Sequence, residues 1–399
     1  MFSEYLLPSV RFKLTVHDIS ESNLILLDNL ADKFLKKWLH IPPPGTRAIL
    51  HAPEGLNIKS FDHLYKESHA IAYASARIKA DDSVNAALDR RLDHEVTWTR
   101  KASITVYSEH QYQTQTIDYS DICLNSVKSK VKKSINEEFH DTWINHIKSL
   151  VVQGQFLELL AIEKSSITWR SHIFNLPRGI LQFAVNASID TLCTNSNLKR
   201  WGKRTNALCG LCKQAKETLH HVLNNCPVML DRYKLRHDSI LNFLESVFNA
   251  IDNVDIFVDL PGKLKGISTV PPSLVVTSLR PDAVIINNSD KKVYLFELSV
   301  PFETNVNDTH LRKVKKYEQL IADIESKGFK TFYYPIEIGS RGYISKENST
   351  RLKSLFHELK ICNIKSVSKS LSSLALIGSF VIFHSKFEAL WINPSYVTF

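Results

Sequence analysis

The stretch Arg280–Val300, RPDAVIINNSDKKVYLFELSV, sets two apolar runs, AVII and VYLFEL, on either side of a polar Asn-Asn-Ser-Asp-Lys-Lys segment. Apolar runs of this length around a turn-forming cluster predict a β-hairpin. Two acids break the pattern. Asp282 opens the first strand, and Glu297 interrupts the second at its most apolar point. A carboxylate in a half-buried strand costs on the order of several kcal/mol unless it is paired or bound to a metal. Two of them at the ends of adjacent strands can share one divalent cation, and their oxygens suit Mg²⁺ or Mn²⁺.

The chain around this hairpin has 399 residues, long enough for two or three domains with cores of their own. Hydrophobic residues make up 44% and charged residues 23%, with 12 glycines, which excludes a largely disordered chain. The net charge of +9 is uneven. Between Thr191 and Ile240 stand nine Lys or Arg residues, Lys199, Arg200, Lys203 and Arg204 leading them, against Glu217, Asp231 and Asp238. Such a segment points toward phosphate backbones, with a solvated lysine-rich surface as the plainer alternative.

Three of the six cysteines cluster in CGLCKQAKETLHHVLNNC, which fits a metal site in a reducing compartment better than a disulfide framework. Cys209 and Cys212 form a C-x2-C turn that puts two thiolates on one side of an ion, and His221 and Cys226 complete a tetrahedral zinc set. His220 competes with His221. The two are rotated by about 100° on a helix, so they cannot both serve equally. His221 is the better fit, because Leu219, Val222 and Leu223 then pack away from the metal. A closed set of four ligands makes this zinc structural.

Helices are expected over Leu24–Leu39, where apolar residues recur at 24, 27, 30, 31, 34, 35 and 38 until Pro42-Pro43-Pro44-Gly45, and over Asp62–Arg77, Ser126–Leu150, Phe156–Ile162 and Leu176–Leu192. The Asp pair in Lys79-Ala80-Asp81-Asp82 reads as helix-cap chemistry, since no apolar hairpin surrounds it. Tyr107–Ser126 is a polar linker, FYYPIEI (332–338) a strand, and Ser349–Trp391 mostly helical. MFSEYLLPSVRFKL has no signal-peptide core, and LALIGSFVIF is short for a bilayer span. The expectation is a soluble nuclear or cytoplasmic protein with no membrane partner and no small-molecule cofactor.

Read together, LKRWGK (198–203), the Cys-Cys-His-Cys knuckle, YKLRHDSIL (233–241) and RPD…FELSVPFE…RKVKKY…IEIGSRGYI resemble the C-terminal part of non-LTR retrotransposon polyproteins with a restriction-like, PD-(D/E)xK-type endonuclease. SVRFKLTVHDI and FLKKWLHIPPPGTRAIL resemble the thumb and linker that follow the reverse transcriptase there. The resemblance covers most of the chain. It implies an α+β multidomain architecture: a helical thumb/linker remnant (1–106), a helical linker (107–208), a zinc knuckle (209–231), an α/β restriction-like core with a mixed sheet (232–348) and a helical C-terminal extension (349–399). No palm or finger region precedes residue 1, so the chain resembles a truncated copy, and no polymerisation is expected.

In most such nucleases a lysine follows the second acid by two residues, where this chain has Ser299. In the retroelement branch that lysine lies on the next helix, in a K-x2-K-Y motif, here Lys313, Lys316 and Tyr317. Spacing agrees in part, since Val306, His310, Lys313 and Tyr317 share one helical face and Lys316 adjoins it. A solvated basic face is the alternative. The resemblance implies Mg²⁺ held by Asp282, Glu297 and the Leu298 carbonyl, with Lys316 or Lys313 at the scissile phosphate and Tyr317 supporting the lysine. Glu245 is a weaker candidate acid. Arg280 and Arg341 either bind the DNA backbone or serve as ion-pair partners. DNA is the expected partner, with element RNA a further one. The competing functions are a nucleic-acid-binding module without cleavage and a zinc-stabilised protein-interaction domain.

Overall fold

The computed structural model describes residues 2–17, 19–79, 124–163, 176–263 and 266–388, and the single positions 83, 86 and 391. Ala80-Asp81-Asp82 and most of the expected linker at 107–126 lie outside these residues. The chain divides into two compact units, Met1–Glu158 and Leu159–Phe399.

The first unit is helical: α1 (Leu7–Val16), α2 (Glu21–Trp38), α3 (Phe61–Lys79) and α4 (Leu124–Ser149), with α5 (Gln155–Glu163) beginning at its end. Ser20 starts α2 by accepting the Asn23 N–H. The buried face of α2 is only in part the one its apolar residues mark. Leu24, Asp28, Asp32 and Leu35 are inside, while Leu30, Phe34 and Trp38 are exposed. The two acids turn the helix because each has internal partners. Asp28 accepts the Phe61 N–H at 2.6 Å and so caps α3. Asp32 is engaged by Arg47 and lies 2.8 Å from His51 Nε2. Charge pairing here outweighs hydrophobic periodicity.

The second unit is built on a four-stranded mixed sheet in the order β1 (Asp255–Val258), β2 (Ala283–Asn287), β3 (Lys292–Ser299), β4 (Lys330–Glu337). The hairpin forms as the sequence predicts, with β2 antiparallel to β3, and β1 adds to its free edge. β4 pairs parallel to β3 after a crossover through α8 (Val306–Glu325), as a parallel connection requires. Both faces of the sheet are covered. Ala283, Ile285, Tyr294, Phe296 and Leu298 pack against α7 (Leu230–Phe248), α9 (Lys346–Glu358) and α10 (Ile364–His384). Val284, Ile286, Val293 and Leu295 pack against Tyr317, Leu320 and Ile324 of α8. Alternation along β3 therefore puts Glu297 on the face that α8 covers.

α6 (Arg178–Ser188) starts after Pro177 and ends short of the expected Leu192, because Asp190 takes a left-handed backbone with φ 47°. The run LALIGSFVIF proves to be part of a longer apolar element: the 24-residue Ile364–Phe387 contains an 18-residue window of mean hydropathy 1.5, long and apolar enough by length and composition to cross a membrane. In the structure it is a core helix, with Leu371, Leu374, Ala375 and Leu376 buried. Gly378 leaves room for Arg236, whose Cγ would lie 2.5 Å from any Cβ placed there.

Candidate functional site

The zinc cluster is assembled by short-range hydrogen bonds. A bridge between Leu208 and Lys216 and the Cys209 N–H to Ala215 carbonyl bond at 2.8 Å fold the first cysteines into a knuckle. Lys213 closes that turn with φ 57°. His221–Asn225 forms one wide π-helical turn where an ordinary helix is expected from sequence, and Cys226 follows it in extended conformation. The ligand atoms of Cys209, Cys212, His221 and Cys226 all lie within 4.8 Å of one another. Burial pushes the Cys226 thiol up to about 12, with the neighbouring Cys209 and Cys212 adding to it. Burial also holds the His221 imidazole below its usual value, in the neutral form a metal ligand needs. The donor set is that of a closed structural zinc site. His220 faces elsewhere: its ring stacks on Phe302 at 4.6 Å and its Nε2 lies 3.1 Å from Asn225 Nδ2.

The second cluster lies at the end of the hairpin. Asp282 and Glu297 meet across β2 and β3, where the Asp282 N–H donates to Glu297 Oε2 at 3.3 Å. Asp282 Oδ2 accepts the Leu298 N–H at 2.6 Å. From α8, Lys313 Nζ donates to Glu297 Oε1. Lys316 Nζ lies farther, 3.9 Å from the same oxygen, and donates to Tyr317 Oη at 2.8 Å. Tyr317 is fully buried and donates to the Arg280 carbonyl at 2.8 Å, tying α8 to the start of the hairpin.

From α7 comes a residue that sequence reasoning missed. His237 Nε2 lies 3.3 Å from Asp282 Oδ2, and its Nδ1 lies 3.1 Å from Asp238 Oδ1. Only its place in YKLRHDSIL marked it, since it stands far from the hairpin in the chain. Burial alone would lower its basicity, yet Asp282 and Asp238 outweigh burial and raise it to about 10. Asp282 shows the reverse balance. Burial would raise its carboxyl, but His237, the Leu298 N–H and Lys313 hold it below the usual range. Glu297 is pushed up, first by burial and then by the Asp282 charge, against the opposing Lys313.

A pocket of about 680 Å³ opens beside these groups, lined by Asp282, Leu298, His237 and Lys313 and also by Asn224, Asn225, Phe302 and Asn305. The knuckle thus forms part of its wall. Asn224 Nδ2 donates to the Val300 carbonyl at 2.7 Å, and Tyr233 Oη accepts the Cys226 N–H at 2.9 Å. A second pocket of about 530 Å³ adjoins it, lined by His237, Asp238, Asp259, Arg280 and Asp282.

The basic candidates separate. Lys199, Arg200, Lys203 and Arg204 are exposed on and after the short helix Asn195–Arg200. Arg232 and Arg236 are buried, as are Glu217 and Asp238, which leaves seven basic side chains of the segment at the surface against Asp231. Arg280 is half exposed and paired with Asp259. Arg341 is 6% exposed, bonded by Glu303 Oε2 at 2.7 Å and stacked over Phe302, so the ion-pair alternative describes it. Glu245 pairs with Lys263.

Residues 154–231 match the domain described as zinc-binding in reverse transcriptase. Over 403 aligned residues the chain is 24% identical to a retrovirus-related Pol polyprotein from the type-1 retrotransposable element R2 of Nasonia vitripennis. The chain is related to retrotransposon Pol proteins. That alignment takes in 97% of this chain, which spans 34% of its relative's length. The zinc-binding segment ends at Asp231, in the first turn of α7, the helix that carries His237 to the carboxylates.

Proposed function

We propose that the chain is a metal-dependent DNA endonuclease of restriction-like type that nicks DNA for a retroelement. One observation carries this reading: Asp282 just before β2, Glu297 on β3 and Lys313 on α8 converge, and Asp282 and Lys313 line one pocket. Two neighbouring carboxylates, Glu297 pushed up by burial and by the Asp282 charge, form an all-oxygen donor set that fits Mg²⁺ or Mn²⁺. Asp282 and Glu297 would hold the ion, with the Leu298 carbonyl beside them. When bound it polarises the scissile phosphate and acidifies the attacking water.

The chain's own groups do the rest. Lys313 holds an ammonium against Glu297, where its charge offsets the negative charge that builds on the phosphoryl oxygens. Tyr317 positions Lys316 behind it and fixes α8 over the strands. Lys313, which lines the pocket, is favoured over Lys316 as the principal lysine. Ser299 needs no charge in this scheme. Lys199, Arg200, Lys203 and Arg204 bind phosphates without reading sequence, on DNA and on element RNA alike. Zinc supports the wall that joins this surface to the pocket. Residues 1–106 stand in this reading for a thumb and linker.

The test is conversion of supercoiled plasmid to nicked circles by the full chain. Nicking is expected in Mg²⁺ or Mn²⁺ and not in chelator, and Asp282→Ala or Glu297→Ala abolishes it while gel-shift binding persists. Salt-sensitive binding with no nicking in either ion leaves the nucleic-acid-binding module. Absence of binding as well leaves the protein-interaction domain.

A further inference from the structure

His237 is placed as a go-between. Its ring is bounded by two carboxylates, Asp238 at Nδ1 and Asp282 at Nε2, and it borders both pockets. Asp238 comes from the same helix and its side chain is 10% exposed, so the ring is held from the side away from Asp282. On Asp282 a single oxygen, Oδ2, receives both His237 and the Leu298 N–H. Apart from the equivalent half-turn that exchanges the two oxygens, rotating that carboxylate away weakens at least one of the two contacts.

We propose that His237, oriented by Asp238, is a positioning residue that fixes the Asp282 carboxylate for a divalent cation. The proposal rests on the nuclease reading. Carboxylates that bind metals are held in place by a second group, and removing that group costs about 10- to 100-fold in metal affinity. Here the backbone N–H of Leu298 sets one direction and the imidazole sets the other. The roles of the two nitrogens differ. Nε2 acts on Asp282, and Nδ1 only anchors the ring.

That difference makes the proposal testable. The amide nitrogen of Gln reaches the place of Nε2, whereas that of Asn reaches the place of Nδ1. Mn²⁺ is titrated into the full-length, zinc-loaded chain without DNA and followed by calorimetry, alongside nicking at varied Mn²⁺. Zinc content and thermal melting confirm that each variant is folded. His237→Ala and His237→Asn are expected to bind Mn²⁺ about 10- to 100-fold more weakly, and His237→Gln to stay within about threefold of the wild type. The Mn²⁺ needed for half-maximal nicking shifts in the same order, with gel-shift binding unchanged. Asp238→Asn, which keeps the imidazole, loses less than His237→Ala.

Wild type and His237→Ala binding Mn²⁺ equally would overturn this inference and leave the nuclease reading standing. So would a Gln variant as weak as the Ala variant, since the Nε2 donor would then not be what matters. Wild-type protein that binds no Mn²⁺ would overturn both.

Discussion

At the scale of single residues, the structure separates two lysines that the sequence presents as near equals. Lys313 touches Glu297 and its side chain is 23% exposed, whereas Lys316 is 41% exposed and turned to Tyr317. Lys313→Ala is therefore expected to cut the single-turnover nicking rate by about 10²–10³-fold, and Lys316→Ala by roughly tenfold or less. Equal losses would remove the distinction. The two acids and the ligating cysteines were legible because each breaks a pattern, an apolar strand in one case and a scarcity of cysteine in the other. His237 was not, because a histidine among Arg and Asp on an amphipathic helix breaks no pattern. In the helical unit, Glu67 makes a separate test. Burial would raise its carboxyl, but hydrogen bonds from His63 and Lys59 outweigh burial and bring it to about 2. Its folded value lies below the unfolded one, so its stabilisation is complete above about pH 4.5 and fades as pH falls toward 2. Glu67→Gln should cost up to about 3 kcal/mol at pH 7 and less than about half of that at pH 3, read from urea melts of the full chain. A penalty independent of pH would contradict this.

At the scale of elements, the hairpin, the helices and the strand at 330–337 were readable because their apolar runs coincide with what is buried. α2 shows where that fails. Its acids are satisfied by Arg47, His51 and the start of α3, contacts that sequence periodicity does not contain. The wide turn at His221–Asn225 is likewise not contained in helix propensity, and it lies between the ligating positions His221 and Cys226. Because Asn224 and Tyr233 tie that turn to Val300 and to α7, zinc supports more than its own loop. Cys212→Ser is expected to release the zinc, measured by elemental analysis, and to lower nicking together with the melting temperature, since metal affinity in such a knuckle is folding free energy. A variant that loses zinc yet nicks at the wild-type rate would show the knuckle to be independent of the pocket.

At the scale of the whole molecule, charge and chemistry lie in the same compact unit. The exposed cations of residues 191–240 flank a knuckle that borders the carboxylate pocket. Binding carried by phosphates weakens steeply with salt, with a log–log slope of about −0.9 for each phosphate neutralised on duplex DNA. Replacing Lys199, Arg200, Lys203 and Arg204 with Ala should flatten that slope by roughly two to four, without changing sequence preference. An unchanged slope would place the DNA elsewhere on the surface. The nuclease assignment itself is tested most directly by single-turnover cleavage of an end-labelled DNA duplex by wild-type and Asp282→Ala protein. Both are held at saturating protein and read with and without Mg²⁺. The wild type is predicted to cleave one strand only when Mg²⁺ is present, and Asp282→Ala to bind the same duplex equally well and leave it intact. Cleavage by the variant at the wild-type rate, or none by the wild type in Mg²⁺ or Mn²⁺, would contradict it.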